Sequence, residues 1–197
     1  MLKRTKSFLM AAALLALPGF ASADSTASVQ SVPPVVNVSD IVVVNVNIAD
    51  AVDLYAFGFD LVFDPSVLAA QSATEGAFLA TGGATFFLPG FIDNVGGSVT
   101  FNADSLIGAI PGVSGSGTLV TFDFLAIGSG ISGLGLENTT FLDSSLSDLP
   151  VTLEGGTVSV SGVSVRTPEP STALLLIVSL LAVLFLASTV GNQRCFS

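Results

Sequence analysis

The chain has 197 residues, of which 50% are hydrophobic and 10% charged, and it carries 15 Asp and Glu against 5 Lys and Arg, with no His. All of the acidic residues except Glu169 fall between Asp24 and Val165, a stretch without a single Lys, Arg or His. That balance excludes a basic nucleic-acid footprint, Ser-His-Asp and Cys-His catalysis, a phosphate-gripping lysine and the usual zinc ligands, leaving carboxylates and Tyr55 as acid-base groups.

Reading from the start, basic Lys3, Arg4 and Lys6 precede an apolar run from Phe8 to Leu17, then the breaker pair Pro18-Gly19. Ala21-Ser22-Ala23 supplies small residues for a signal peptidase, so residues 1–23 are expected to be a signal peptide cleaved between Ala23 and Asp24. The apolar run is about half the roughly 20 residues that a spanning helix needs.

Residues 24–161 are expected to form one β domain of about 140 residues, the common size for a single core. Val42, Val44, Val46 and Ile48 alternate with Val43, Asn45 and Asn47, which predicts a half-buried strand. Tyr55, Phe57, Phe59, Leu61 and Phe63 take one face of the next strand, opposite Ala56, Gly58 and Asp60. Asp64-Pro65-Ser66 stops that ladder and opens a turn or short helical stretch through Val67-Leu68-Ala69-Ala70, since proline cannot donate to a neighbour. A later strand is expected to turn Val99, Phe101 and Ala103 inward, with Thr100, Asn102 and Asp104 outward. Val120, Phe122, Phe124 and Ala126 repeat the inward pattern. Short strands are expected at Ser132 to Glu137, Val151 to Glu154 and Thr157 to Val160. Many short alternating strands separated by Gly, Ser and Asp predict a two-layer sandwich, and no repeat of solenoid length is present.

Residues 162–172 read as a short, proline-stiffened linker. The uncharged segment 173–190 would reach about 27 Å as a helix, enough to span a bilayer. Residues 191–197 then become a cytoplasmic tail, with Arg194 in keeping with the positive-inside rule. The only cysteine, Cys195, lies in that tail, so the domain has no disulfide. Thr167-Pro168-Glu169-Pro170-Ser171-Thr172, followed by this apolar segment and a short tail, resembles the PEP-CTERM sorting signal. The tail departs from that pattern in carrying one arginine where a basic cluster is usual. The resemblance implies an exosortase-type processing enzyme as partner and Pro168, Glu169, Pro170, Ser171 and Thr172 as its motif. The protein would be exported, anchored in the inner membrane, and released to the cell surface or beyond if processed.

A second resemblance covers nearly the whole domain. Ile41-Val42-Val43-Val44-Asn45-Val46, then Leu54 through Leu68 with its stop Phe63-Asp64-Pro65-Ser66-Val67-Leu68, looks like the opening of a cohesin domain. Gly115 to Phe124, Leu134 to Asp143 and Gly155-Gly156-Thr157-Val158-Ser159-Val160 resemble later strands of that family. It implies an all-β, antiparallel jelly-roll sandwich of about nine strands, related to carbohydrate-binding modules, with no catalytic residues and no cofactor. Three functions follow as expectations. The first is a non-catalytic surface or matrix protein that binds a dockerin-like partner or a polysaccharide. The second is a self-associating biofilm or surface-layer component. The third is a carboxylate-only glycosidase, which would need two carboxylates about 5 Å or about 6.5–9.5 Å apart in a groove. Calcium could find oxygens at Asp50 and Asp53, Asn102 and Asp104, or Asp143 and Asp148, but none has the spacing of an EF-hand loop. Asn37-Val38-Ser39 and Asn138-Thr139-Thr140 are sequons whose use depends on the host.

Overall fold

A computed structural model describes residues 24–162 and 175–182. The expected signal peptide through Ala23, the expected sorting motif Pro168 to Thr172, most of the apolar segment 173–190 and the tail with Cys195 lie outside the described residues. Residues 175–182 are helical. Among the described residues no helix is long and apolar enough to cross a membrane.

Within residues 24–162, ten strands and one short helix follow in chain order: β1 (Ser25–Val32), β2 (Val35–Asn37), β3 (Ile41–Val62), β4 (Leu68–Glu75), α1 (Ala77–Ala80), β5 (Leu88–Asp93), β6 (Ser98–Ser105), β7 (Val113–Ala126), β8 (Gly130–Asp143), β9 (Val151–Glu154) and β10 (Gly156–Ser161). The period of two holds where it is strongest: Val42, Val44, Val46 and Ile48 are buried, as are Phe57, Phe59, Leu61 and Phe63. β1, β2 and β5 carried no expectation, and the strand total is one above the nine anticipated. Leu68-Ala69-Ala70 is the start of β4 and not a helical stretch, because the turn closes by Val67, whose N–H, like that of Leu68, donates to Asp64 O.

β3 is the organising strand. Its first half pairs with β1 and β7, and its second half pairs with β6 and β8. It therefore belongs to both layers, one running β9-β1-β3-β7-β4 and the other β5-β6-β3-β8, with β10 and β2 continuing from the first residues of β8. What bends it is a corner at Asp50 (φ 53) and Asp53 (φ 58), both in the left-handed region that Asp tolerates better than most residues. The corner is pinned by Ser116 Oγ and Ser114 Oγ, which accept from Asp50 N–H and Asp53 N–H at 3.0 and 2.9 Å. Asp53 Oδ1 in turn accepts Gly112 N–H at 2.7 Å, and Oδ2 accepts the Ser144 hydroxyl at 2.6 Å. Gly112 is required there, since a Cβ would lie 2.3 Å from Asp53 O.

Between the layers the phenylalanines meet edge to face. Phe59 and Phe122 are 6.4 Å apart at 63°, and Phe63 and Phe124 are 5.0 Å apart at 74°. Such pairs add to the area term that burying a large ring already supplies.

One strand departs from the expected facing. In β6, Val99 points inward as expected, but Phe101 is 72% exposed while Asn102 and Asp104 are buried. The cause is a bulge: Phe59 pairs with Asn102 but Leu61 pairs with Val99, so Thr100 and Phe101 together oppose Asp60. Phe101 takes φ 58 and every later residue of the strand swaps face.

Two outcomes follow. Phe122→Ala should lower the unfolding free energy by about 3–5 kcal/mol in urea titration; a loss below about 1 kcal/mol would contradict the cross-layer core. The Ser144 hydroxyl, and after it Gly112 N–H, hold the Asp53 carboxyl below its ordinary range. Its contribution is thus present above the unfolded value and lost as pH falls through the folded one. The stability gap between the wild type and Asp53→Asn should narrow on going from pH 6 to pH 3, read from urea midpoints; a constant gap would contradict the corner.

Candidate interaction surface

The outer face of β5, β6, β3 and β8 follows from the bulge. Pairing across these strands puts Leu88 beside Ala103, Ala103 beside Gly58, and Gly58 beside Thr140. Small side chains therefore occupy the middle of the face, and larger ones stand at its β5–β6 side. Phe91 is 73% exposed and lies edge-on to Phe101, with ring centres 6.3 Å apart. Phe86 and Leu88 are also exposed. A hollow of about 300 Å³ lies among Gly58, Asp60, Leu88, Phe101, Ala103 and Asn138. A second, also about 300 Å³, lies beside it between Leu88, Pro89, Phe91 and Phe101. Exposed aromatics gathered in this way, next to concave apolar ground, mark a surface for a partner more often than scattered surface phenylalanines do.

Asp60 holds the face together. Its Oδ1 accepts Phe101 N–H at 2.7 Å, and its Oδ2 accepts Asn138 Nδ2 at 2.6 Å. The second contact sits at another irregularity, where the β3–β8 register shifts between Gly58 and Asp60 and Asn138 takes φ 49. One carboxylate thus braces bulges in both neighbouring strands. It also occupies the amide nitrogen of the Asn138 sequon. Gly90 makes the matching adjustment in β5: it has φ 79, and a Cβ would lie 2.5 Å from Thr100 O. β5 pairs with β6 alone, and its Pro89 suits an edge strand.

The other residues singled out in the sequence take structural places. Phe63 and Leu68 are buried, while Asp64 Oδ1 accepts Ser66 N–H at 2.8 Å and the Ser66 hydroxyl at 2.6 Å. The Ser66 hydroxyl and then its N–H hold the Asp64 carboxyl below its ordinary range. The stop Phe63-Asp64-Pro65-Ser66-Leu68 is accordingly a braced turn between layers. Asp143 Oδ1 accepts Ser145 and Ser147 N–H at 2.8 and 2.9 Å. Asp50 and Asp53 form the β3 corner, and Asn102 with Asp104 points into the interior. Among the described residues no three acidic, His or Cys side chains gather as a metal would require. Of the residues on this face, Phe86, Leu88 and Phe91 carried no sequence expectation and Phe101 was expected inward. The available signal was Phe86-Phe87-Leu88-Pro89-Gly90-Phe91: adjacent phenylalanines cannot both face the core of a strand, and Pro-Gly suits an edge.

No protein-family model and no curated protein matches the chain. Solved structures do. A non-cellulosomal cohesin from the hyperthermophilic archaeon Archaeoglobus fulgidus superposes with TM-score 0.57 at 17% identity, over 71% of this chain and 92% of that one. The second type II cohesin module of the ScaA scaffoldin from Acetivibrio cellulolyticus gives 0.60 at 15%, over 76% and 98%. A type II cohesin–X-dockerin complex from the same organism gives 0.59 at 15%, over 70% and 100%. At such identities the likeness establishes the fold, and residues 24–162 form a cohesin-like β-sandwich.

Proposed function

We propose that this chain is an exported, non-catalytic docking protein that offers the outer face of β5, β6, β3 and β8 to a dockerin-like protein module. The observation that carries the reading is the exposed pair Phe91 and Phe101 beside an apolar hollow, on a domain with no side-chain cation. Similar folds occur in complexes with dockerins, including a type II cohesin–X-dockerin complex and a cohesin with a Cel5 dockerin. An acidic domain favours a partner whose apolar centre is rimmed by Lys or Arg, since such charges steer association and select against acidic competitors.

The rest of the chain supplies address and tether in this reading. Residues 1–23 direct export, residues 162–172 hold the domain close to the membrane, and residues 173–190 anchor it until an exosortase-type enzyme acts at Pro168 to Thr172. Asp104 and Glu75, which act on one another, give a glycosidase no support, because Asp104 is enclosed in the interior instead of lining a groove.

The full chain in detergent should bind one or more dockerin-bearing proteins of its producer, measured by calorimetry. Phe91→Ser and Phe101→Ser should each weaken that binding at least about tenfold, the effect of losing an aromatic anchor worth roughly 1.4 kcal/mol or more. Binding that both variants leave intact would place the partner elsewhere. Binding to the producer's exopolysaccharide with none to dockerins would replace the protein partner by a glycan.

A further inference from the structure

The face swap in β6 has a second product besides the outward Phe101: it carries two polar side chains into the interior. Asn102 is fully buried and donates through Nδ2 to Val99 O at 2.8 Å. Asp104 is 2% exposed, and its Oδ1 accepts Ser105 N–H at 2.8 Å. Its Oδ2 is enclosed and, among the described residues, meets no donor. The ionisable group that acts on Asp104 is Glu75, at the end of β4, whose charge and side chain both favour a protonated Asp104. Glu75 is more exposed, and its Oε1 accepts the Thr85 hydroxyl. Thr85 in turn bridges to Leu106, just past the end of β6. The two carboxyls therefore join three pieces of chain: the end of β4, the segment that follows α1, and β6.

Two ionised carboxylates in contact repel, and burial raises the cost because water cannot screen them. Ordinarily a Lys, Arg or His would compensate, but the domain contains none. Around Asp104, the registered neighbour on β3 is Phe57, and Glu75 is the ionisable group that acts on it. A divalent ion would want further carboxylates, and among the described residues no group of three stands here. A proton needs neither space nor a third ligand. It turns the repulsion into a hydrogen bond and supplies the donor that Oδ2 lacks.

We propose that a proton held on Asp104 Oδ2 and directed at Glu75 forms a latch that fastens the chain between β4 and β5 onto β6, and that loosens when the proton leaves. Desolvation and, next, the charge of Glu75 push Asp104 up to about 7. A group held above its unfolded value, about 3.9 for Asp, contributes stability that is complete below that value. That stability declines as pH rises, and it is gone above the folded value. The latch is thus closed in mildly acidic surroundings and open in alkaline ones. The window is otherwise quiet, since the chain has no histidine to titrate there.

Thermal unfolding of the full chain in detergent, followed by circular dichroism from pH 5 to pH 8, reads the latch through the sheet signal. The midpoint should fall with rising pH in the wild type and stay level in Asp104→Asn, whose amide can donate to Glu75 at every pH. Carbon-13 NMR of the Asp side chains should show one carboxyl titrating near 7, absent from Asp104→Asn. In Glu75→Gln, where the exposed partner is neutralised without touching the core, that carboxyl should titrate about one unit lower or more. An Asp104 carboxyl that titrates below about 5, as an ordinary carboxylate does, would overturn the proposal. So would equal slopes in wild type and Asp104→Asn, or a calcium-induced rise of the midpoint at pH 8 that Asp104→Asn abolishes, which would put a cation where the proton is placed.

Discussion

A sandwich whose charged side chains are all carboxylates has no ion pairs to draw on, and that constraint shapes the rest of the molecule. Each acidic group has to be solvated by water, neutralised by a proton or held by neutral donors. The described residues show the third solution repeatedly. Asp53 takes Gly112 N–H at the β3 corner, Asp60 takes Phe101 N–H at the β6 bulge, and Asp64 takes Ser66 N–H at the stop before β4. Asp93 takes Val95 and Gly96 N–H between β5 and β6, and Asp143 takes Ser145 and Ser147 N–H after β8. Backbone amides that leave a ladder at corners, bulges and turns need acceptors, and the carboxylates are placed where such amides occur. Charge and irregular backbone thus stabilise one another without a basic residue.

That arrangement leads directly to the proposed function. Without the β6 bulge, Phe101 would continue the inward alternation set by Val99 and the outer face would be plain. With it, Phe101 stands beside Phe91, and Asn102 and Asp104 enter the interior. The proposed docking surface and the buried Asp104 carboxyl are two results of a single extra residue. A surface built in this way is rigid, since it lies on strands and is braced through Asp60 to both β6 and β8, which favours recognition of a preformed partner.

Much of this was legible in the sequence where one rule acted alone. Val42 through Ile48, Phe57 through Phe63 and Val120 through Ala126 obey a period of two because one face of each strand packs on the opposite layer. The stop at Asp64-Pro65-Ser66 was legible because proline and an Asx turn act locally. β6 was misread because its alternation breaks at Phe101, and what breaks it is Asp60, 41 positions away in sequence. β3 read as two strands because Asp50 and Asp53 look like a turn, whereas the hydroxyls and amide that carry the chain through that corner come from Gly112, Ser114, Ser116 and Ser144. β5 escaped notice because an edge strand containing Pro89 and Gly90 lacks alternation. For β6 and β3 the missing information was a contact between distant segments.

The brace at Asp60 is where these threads meet, and amide hydrogen exchange at Phe101 tests it most directly. If Asp60 holds the bulge, the Phe101 N–H is protected although its ring is exposed, and Asp60→Ala speeds its exchange at least about tenfold, a loss of roughly 1.4 kcal/mol or more expected for a hydrogen bond to a charged acceptor. The Val99 amide in the same strand should exchange as before. A Phe101 amide that exchanges as fast as in an unfolded chain, or one that Asp60→Ala leaves unchanged, would contradict the account.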